Sequence, residues 1–305
     1  LLRAPYPVTW GYLLWSCRAE FVLRLLTHSY SVSILKARNC HMADYTVALV
    51  ASADEDLASP AAADVSLSTA QIEDMVRRAV DLLGGMSSVV ADTARLVVIK
   101  PNISIVRPSG SGVITDARLV RAVALLVHEA APLAEIVIGE GPGGWVAQAT
   151  ADSVGFEVPF YARWFFDLQE DGFHVGGYRD VVRELRDRGI SIRCLDMNWG
   201  LTDTLAFAHG GLADDEYILA KAIIDADAWI NCPVMKTHGP KITVAMKNRY
   251  GLLPGSVYGM SKARGTEQHA PMPHDPAVAE ESMVDIWRLA PEDLIVVDGI
   301  VGHEE

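Results

Sequence analysis

None of the four cysteines, Cys17, Cys40, Cys194 and Cys232, lies in a C-x-x-C pair. That absence excludes a self-contained zinc ribbon or a ferredoxin-type cluster motif. A chain of 305 residues with 50% apolar content builds its own core, so a disulfide scaffold is not needed either. Excess positive charge is missing too: the formal net charge is −13. A global field of that sign argues against nucleic acid or an anionic membrane surface as partner, and any anion must be held by a local basic pocket. No apolar run reaches the ~20 residues a membrane span requires, and no signal-peptide core with a small-residue cleavage site is present. The expectation is a cytoplasmic protein.

The first 41 residues differ from the rest. They hold Arg3, Arg18, Arg24, Lys36 and Arg38 against Glu20 alone, and no Met precedes Met42 of "MADYTVALVAS". A basic, acid-poor leader fits a transit peptide, but an upstream extension or disordered leader before Met42 is the reading adopted. Residues 1–41 are expected to be dispensable, and 42–305 to be one domain.

From Met42 onward, short β-rich runs alternate with amphipathic stretches. "YTVALVA" and "RLVVIK" flank "TAQIEDMVRRAVDLLGG", whose Ile72, Met75, Val76, Ala79 and Leu83 recur at helical spacing. "TDARLVRAVALLVHEAA" is a second helix capped by Thr115 or Asp116, and "AEIVIGE" a third strand. "YRDVVRELRDRG" before "SIRCLDM", then "KAIIDADAWINCPVM" and "AVAEESMVDIWRLA" before "DLIVVDGI", repeat the alternation. The pattern predicts an α/β fold, a mostly parallel sheet with helices on both faces, in a single domain.

Ligands of such sheets collect outside the carboxyl ends of the strands. The residues expected there are Lys100-Pro101-Asn102, Glu140 to Gly144, Asp196-Met197-Asn198, Lys236-Thr237-His238 and Asp298-Gly299. Positions 236 to 249 gather Lys236, His238, Lys241, Lys247 and Arg249 without an Asp or Glu. A lysine leaving a buried strand must find an anion or lose its charge, and either outcome is typical of a functional site. His238 reads as a proton shuttle, a metal ligand or a plain hydrogen bonder. Asn102, Asn231 and Asn248 offer neutral hydrogen bonds to an oxygen-rich ligand. Glu140, Asp196 and Asp298 are counter-charges for the lysines, with metal ligation or general-base work as the alternative.

"GEGPGG" satisfies G-x-G-x-x-G through Gly139, Gly141 and Gly144, but in the third strand–helix unit and with Pro142 removing a donor. It reads as a generic anion loop or tight turn before it reads as a dinucleotide fingerprint. Ser104, Ser109 and Ser111 lack a G-x-S-x-G elbow. His269 and His274 sit in a Pro-rich loop and read as surface residues.

Taken together, "VVIKPNIS", the run from "TDARLV" to "GEGPGGW", "INCPVMKTHGPKITVAMKNRYGLLPG" and "IVVDGIVGHE" resemble the bacterial and archaeal domain-of-unknown-function family 362. The resemblance covers roughly residues 45–303. Its motifs fall on Lys100, Asn102, Glu140, Gly141, Lys236, Thr237, His238, Lys247, Asn248 and Asp298. It implies one α/β domain, which here looks C-terminally incomplete. Some relatives carry ferredoxin-like modules or export signals, which implies redox or cofactor work and an iron–sulfur or redox partner. The residues themselves point to a small anionic ligand, carboxylate or phosphate. Lys236, His238 and Glu140 are the reactive candidates. Lys100, Asn102, Gly141, Gly143, Gly144, Thr237, Lys247, Asn248 and Asp298 are the binding candidates. A metallocofactor-associated protein and a dinucleotide oxidoreductase using Gly139–Gly144 are the alternatives. The cofactor is left unassigned.

Overall fold

The structure, a computed structural model, describes residues 12–16, 24–27, 30–37, 45–52, 67–142, 172–238, 241–259, 262 and 278–303. Its strands are β1 (Tyr12–Ser16), β2 (Arg24–Thr27), β3 (Tyr30–Ala37), β4 (Tyr45–Ser52), β5 (Leu96–Pro101), β6 (Glu135–Glu140) and β7 (Ile192–Asp196), followed by β8 (Thr202–Ala206), β9 (Glu216–Ala220), β10 (Ala228–Cys232), β11 (Val234–His238), β12 (Lys241–Thr243) and β13 (Leu294–His303). The longer helices are α1 (Thr69–Asp81), α2 (Ala117–Ala130), α3 (Tyr178–Asp187) and α4 (Ala279–Leu289).

The main sheet runs β2-β3-β4-β1-β13-β10-β5-β6-β7. From β13 to β7 every neighbouring pair is parallel, and β11 adds to β13 in parallel. β5 and β10 read as near-continuous apolar runs because both of their faces are covered. One face packs α1, α2 and α3 over Val97, Ile99, Ile136, Ile138 and Ile230. The other carries Val98, Val137 and Trp229 under α4, the β8–β9 hairpin and the segment holding Tyr250, Leu252 and Leu253. The chain is thus the mixed α/β fold that the alternating pattern predicts.

Local signals explain the helix starts. Ser68 caps α1 through a capping box with Gln71. Asp116 caps α2 by accepting the Arg118 N–H at 2.8 Å.

Two strand boundaries differ from the expectation, and both matter. Lys236-Thr237-His238 was expected just beyond a strand, yet Pro233 ends β10's run and a new strand, β11, contains all three. Asp298 was also expected at a strand end, but lies inside β13. Pairing explains both: Val234 lies opposite Asp298 and Lys236 opposite His303, so β11 and the distal half of β13 extend each other. The β8–β9 hairpin was not anticipated either. Its "TDTLA" strand carries Asp203 and Ala206, residues of low β-propensity, on a half-exposed edge, which weakens the period-2 signal.

Residues 1–41 were expected to stand outside the domain. The backbone instead uses part of them as strands, with β1 between β4 and β13 in antiparallel register on both sides. Removing residues 1–41 tests this directly. The shortened chain is expected to melt several degrees below the full chain, because β13 would lose its ladder along Ile295–Val297. Equal melting temperatures would make the leader dispensable.

Candidate functional site

The carboxyl ends of β5, β6 and β10 converge on one buried polar network. Lys100, at 0% exposure, donates to Glu140 Oε2 at 2.7 Å, to Asn248 Oδ1 at 3.1 Å and to the Pro101 carbonyl at 3.1 Å. An ammonium has three N–H donors, and each has an acceptor here. Glu140 also accepts the Ile103 N–H at 3.3 Å. Burial lowers the Lys100 pKa, while the Glu140 charge and hydrogen bond oppose that shift. Of the two readings of Glu140, the ion pair is the one this geometry contains, so Lys100 and Glu140 hold each other in place.

Asn248 joins the pair to two further asparagines. Its Oδ1 accepts from Lys100 and from Asn102 Nδ2 at 2.9 Å, while its Nδ2 donates to Asn231 Oδ1 at 2.7 Å. Asn231 Nδ2 in turn donates to the Ala245 carbonyl at 3.1 Å and to Glu292 Oε1 at 3.3 Å. These directions are mutually enforced. The lysine can only donate, so Asn248 must present oxygen to it, and Asn102 must then present its amide nitrogen. The consequence is that Asn102 Oδ1 is a buried acceptor with no hydrogen-bond partner among the described residues. Glu292 also pairs with the buried Arg249, whose Nε lies 3.0 Å from Oε2.

A second buried group lies beside the first. Lys236 is 5% exposed, and its ammonium donates to Ser104 Oγ at 2.6 Å and to the Val113 carbonyl at 2.5 Å. Ser104 is two residues beyond Asn102, so Lys236 and the open oxygen of Asn102 border the same short loop. The Asn102 N–H donates to Thr115 Oγ1 at 2.8 Å, and Thr115 Oγ1 donates to the Cys232 carbonyl at 2.6 Å, which pins the loop to β10. Asp298 receives the N–H groups of Asp116 and Ile300 at 2.7 and 3.0 Å. Burial, reinforced by Asp116, pushes the Asp298 carboxyl up to about 7, and those two N–H bonds oppose it. Its place is therefore at the start of α2, tying that helix to β13.

Gly141 does different work from that expected of an anion loop. The Gly141 N–H already donates to the Gly251 carbonyl at 3.0 Å, so it is not offered to a ligand. A side chain on Gly141 would meet Gly251 O at 2.7 Å and Asn198 Oδ1 at 2.9 Å, so this residue allows two segments to pack closely. Gly143 and Gly144 lie outside the described residues, and the dinucleotide reading of Gly139–Gly144 lies largely there with them. Thr237 lies in β11 opposite Ile242, and His238 opposite Lys241. Lys247 is half-buried in the helical turn Ala245–Asn248.

Sequence reasoning missed Lys262. It is 4% exposed and donates to Asn198 Oδ1. Its surroundings, "GMSKARG", carry no apolar pattern from which burial is legible. Glu292, in "APEDL", was missed for the same reason.

Among the described residues, no group of three or more His, Cys, Asp or Glu is placed to hold a metal. No described helix is long and apolar enough to cross a membrane. The chain is similar to the thylakoid-associated protein sll1697 of Synechocystis sp., with 27% identity over 230 residues, which is 75% of this chain and 59% of that relative. The strand ends that build the network, from β5 through β13, all lie within residues 97–305, which match the family described as domain of unknown function DUF362; the chain belongs to that family.

Proposed function

We propose that the domain binds a small anion at the carboxyl edge of its parallel sheet, with Lys236 as the cation facing it and Asn102 Oδ1 accepting a hydroxyl or amine of the same ligand. The open Asn102 oxygen carries this reading. A buried acceptor without a partner costs free energy, and every other member of the network around it is satisfied. Ser104 links that position to the Lys236 ammonium. Lys100 and Glu140 then support the ligand's surroundings rather than touching it. Thr237, His238 and Lys247, on the neighbouring hairpin and turn, are the groups from which further contacts and proton transfer would come.

The test is a thermal-shift series on the full chain with phosphate, glycolate and malate. At least one of the hydroxylated anions is expected to raise the melting temperature above the effect of phosphate. Lys236→Met should weaken that binding by ~2 kcal/mol or more, the scale of a hydrogen bond to a charged group. No response to any of the three, or an equal response of wild type and Lys236→Met, would end this reading. Metal content of the purified protein separates it from the metallocofactor alternative, which requires a stoichiometric transition metal.

A further inference from the structure

Lys262 differs from two of the buried cations of this edge, Lys100 and Arg249. Lys100 and Arg249 each face a carboxylate at ion-pair distance. Lys262 makes no such pair among the described residues, and its Nζ is held by an amide oxygen, Asn198 Oδ1. That amide is itself fixed. Asn198 Nδ2 donates to the Pro142 carbonyl at 3.0 Å, its Oδ1 also accepts the Gly255 N–H at 3.0 Å, and its own N–H donates to Asp196 Oδ1 at 2.9 Å. Gly141 backs the amine closely: a Cβ there would stand 3.2 Å from Nζ. Lys262 is also the non-glycine residue with left-handed backbone among those described, at φ 56°. Such backbone is unfavourable for an L side chain and persists where the surroundings enforce it, as they often do at reactive sites.

We propose that Lys262 is an amine nucleophile that forms a Schiff base with the carbonyl of a small oxo acid at this sheet edge. The acid part of that assignment rests on the anion reading above, whereas the reactivity of the amine does not. In the step itself, the nitrogen lone pair attacks the carbonyl carbon and a C–N bond forms as the C=O π pair moves to oxygen. Both amine protons leave with that oxygen as water, and a C=N bond remains. The environment favours the form that can react. Burial pushes the Lys262 ammonium down to about 7 and Lys100 pushes the same way, while Glu140 and Asp196 oppose them. The amine is therefore populated near neutrality, and its share grows as pH rises through that value.

Borohydride trapping on the full native chain tests this. Glyoxylate is the oxo-acid probe and formaldehyde the uncharged one, with sites mapped by peptide mass spectrometry across neutral pH. With both reagents Lys262 should be modified at least ~10-fold faster near pH 7 than the surface residue Lys221, whose pKa its Asp225 partner raises. The Lys262 rate should level off above pH 7, while that of Lys221 keeps rising. This comparison lies within one chain and does not depend on any variant folding. Lys262→Met, checked by circular dichroism, should remove the fast site. If Lys262 reacts no faster than Lys221 with either reagent, the nucleophile assignment is overturned. If formaldehyde marks Lys262 and glyoxylate does not, the oxo-acid assignment is overturned while the thermal-shift result for anions stands on its own.

Discussion

Lys100→Met is expected to destabilise the unliganded protein by about 3–5 kcal/mol in a urea titration, the scale for removing one partner of a buried ion pair. The substitution keeps most of the side-chain volume, so the loss is electrostatic. It leaves Glu140, 2% exposed, with the Ile103 N–H at 3.3 Å in place of its ammonium. It also removes a donor from Asn248 Oδ1 and from the Pro101 carbonyl. The double variant Lys100→Met with Glu140→Leu should recover much of this stability, because a buried pair replaced by apolar groups of similar size is often neutral. The two single losses would then sum to far more than the double loss, which marks direct coupling. A Lys100→Met cost under ~1 kcal/mol would show that Glu140 is not held by this pair in solution. Glu140 would then return as a candidate for proton transfer.

Gly251→Ala should be comparably damaging, although it adds one methyl group. A Cβ at Gly251 would overlap Glu140 Oε1 and stand 2.7 Å from Lys100 Nζ. Neither partner can give way cheaply, since each is buried and fixed by the other. The expected result is a loss of ~3 kcal/mol or more, or failure to accumulate folded protein. Gly200→Ala is the control. There the new methyl finds its nearest neighbour at 3.8 Å, in ordinary contact, and the change should stay within about 1 kcal/mol. Equal effects at the two sites would mean that Gly251 is not packed against the ion pair.

The two experiments bear on how the ion pair and its asparagines shape this edge. Lys100, Glu140, Asn248 and Asn231 satisfy one another, so they shape the edge of the sheet and keep it rigid. At the margins of that network lie Asn102 Oδ1, Lys236 and, beside Gly141, Lys262, the groups on which the two proposals rest. The relative from Synechocystis is described as thylakoid-associated and is longer than the match, since this chain spans 59% of its length. What the rest of such a protein adds to this edge is a separate question from how the edge itself is built.

The α/β alternation was legible in the sequence because burial on both faces of β5, β6 and β10 writes itself as unbroken apolar runs. The helices declared themselves through period and caps, Ile72, Met75, Val76 and Ala79 being one buried face of α1. The convergence of Lys100, Asn102 and Glu140 was legible as well, since parallel strands must bring their carboxyl ends to a common edge. Sequence also marked Lys236 as a cation leaving a buried strand, because the apolar run ending in Val234-Met235 leads into it. Only the tertiary structure decided who pairs with whom. Glu140 faces Lys100 rather than Lys236, and Asp298 accepts the Asp116 N–H at the start of α2 and the Ile300 N–H of its own strand, because strand order and register set those distances. The extension of β13 past Asp298 depends on β11 lying beside it, a pairing of residues about 60 apart that local propensity does not encode. Lys262 is the clearest case. Its neighbours in "GMSKARG" show no apolar period, and its contacts with Asn198 and Gly141 are brought to it by the ends of β6 and β7. Local sequence reports a residue's own environment only when its chain neighbours share it; where the enclosing atoms come from distant segments, the fold alone determines the charge a side chain can keep.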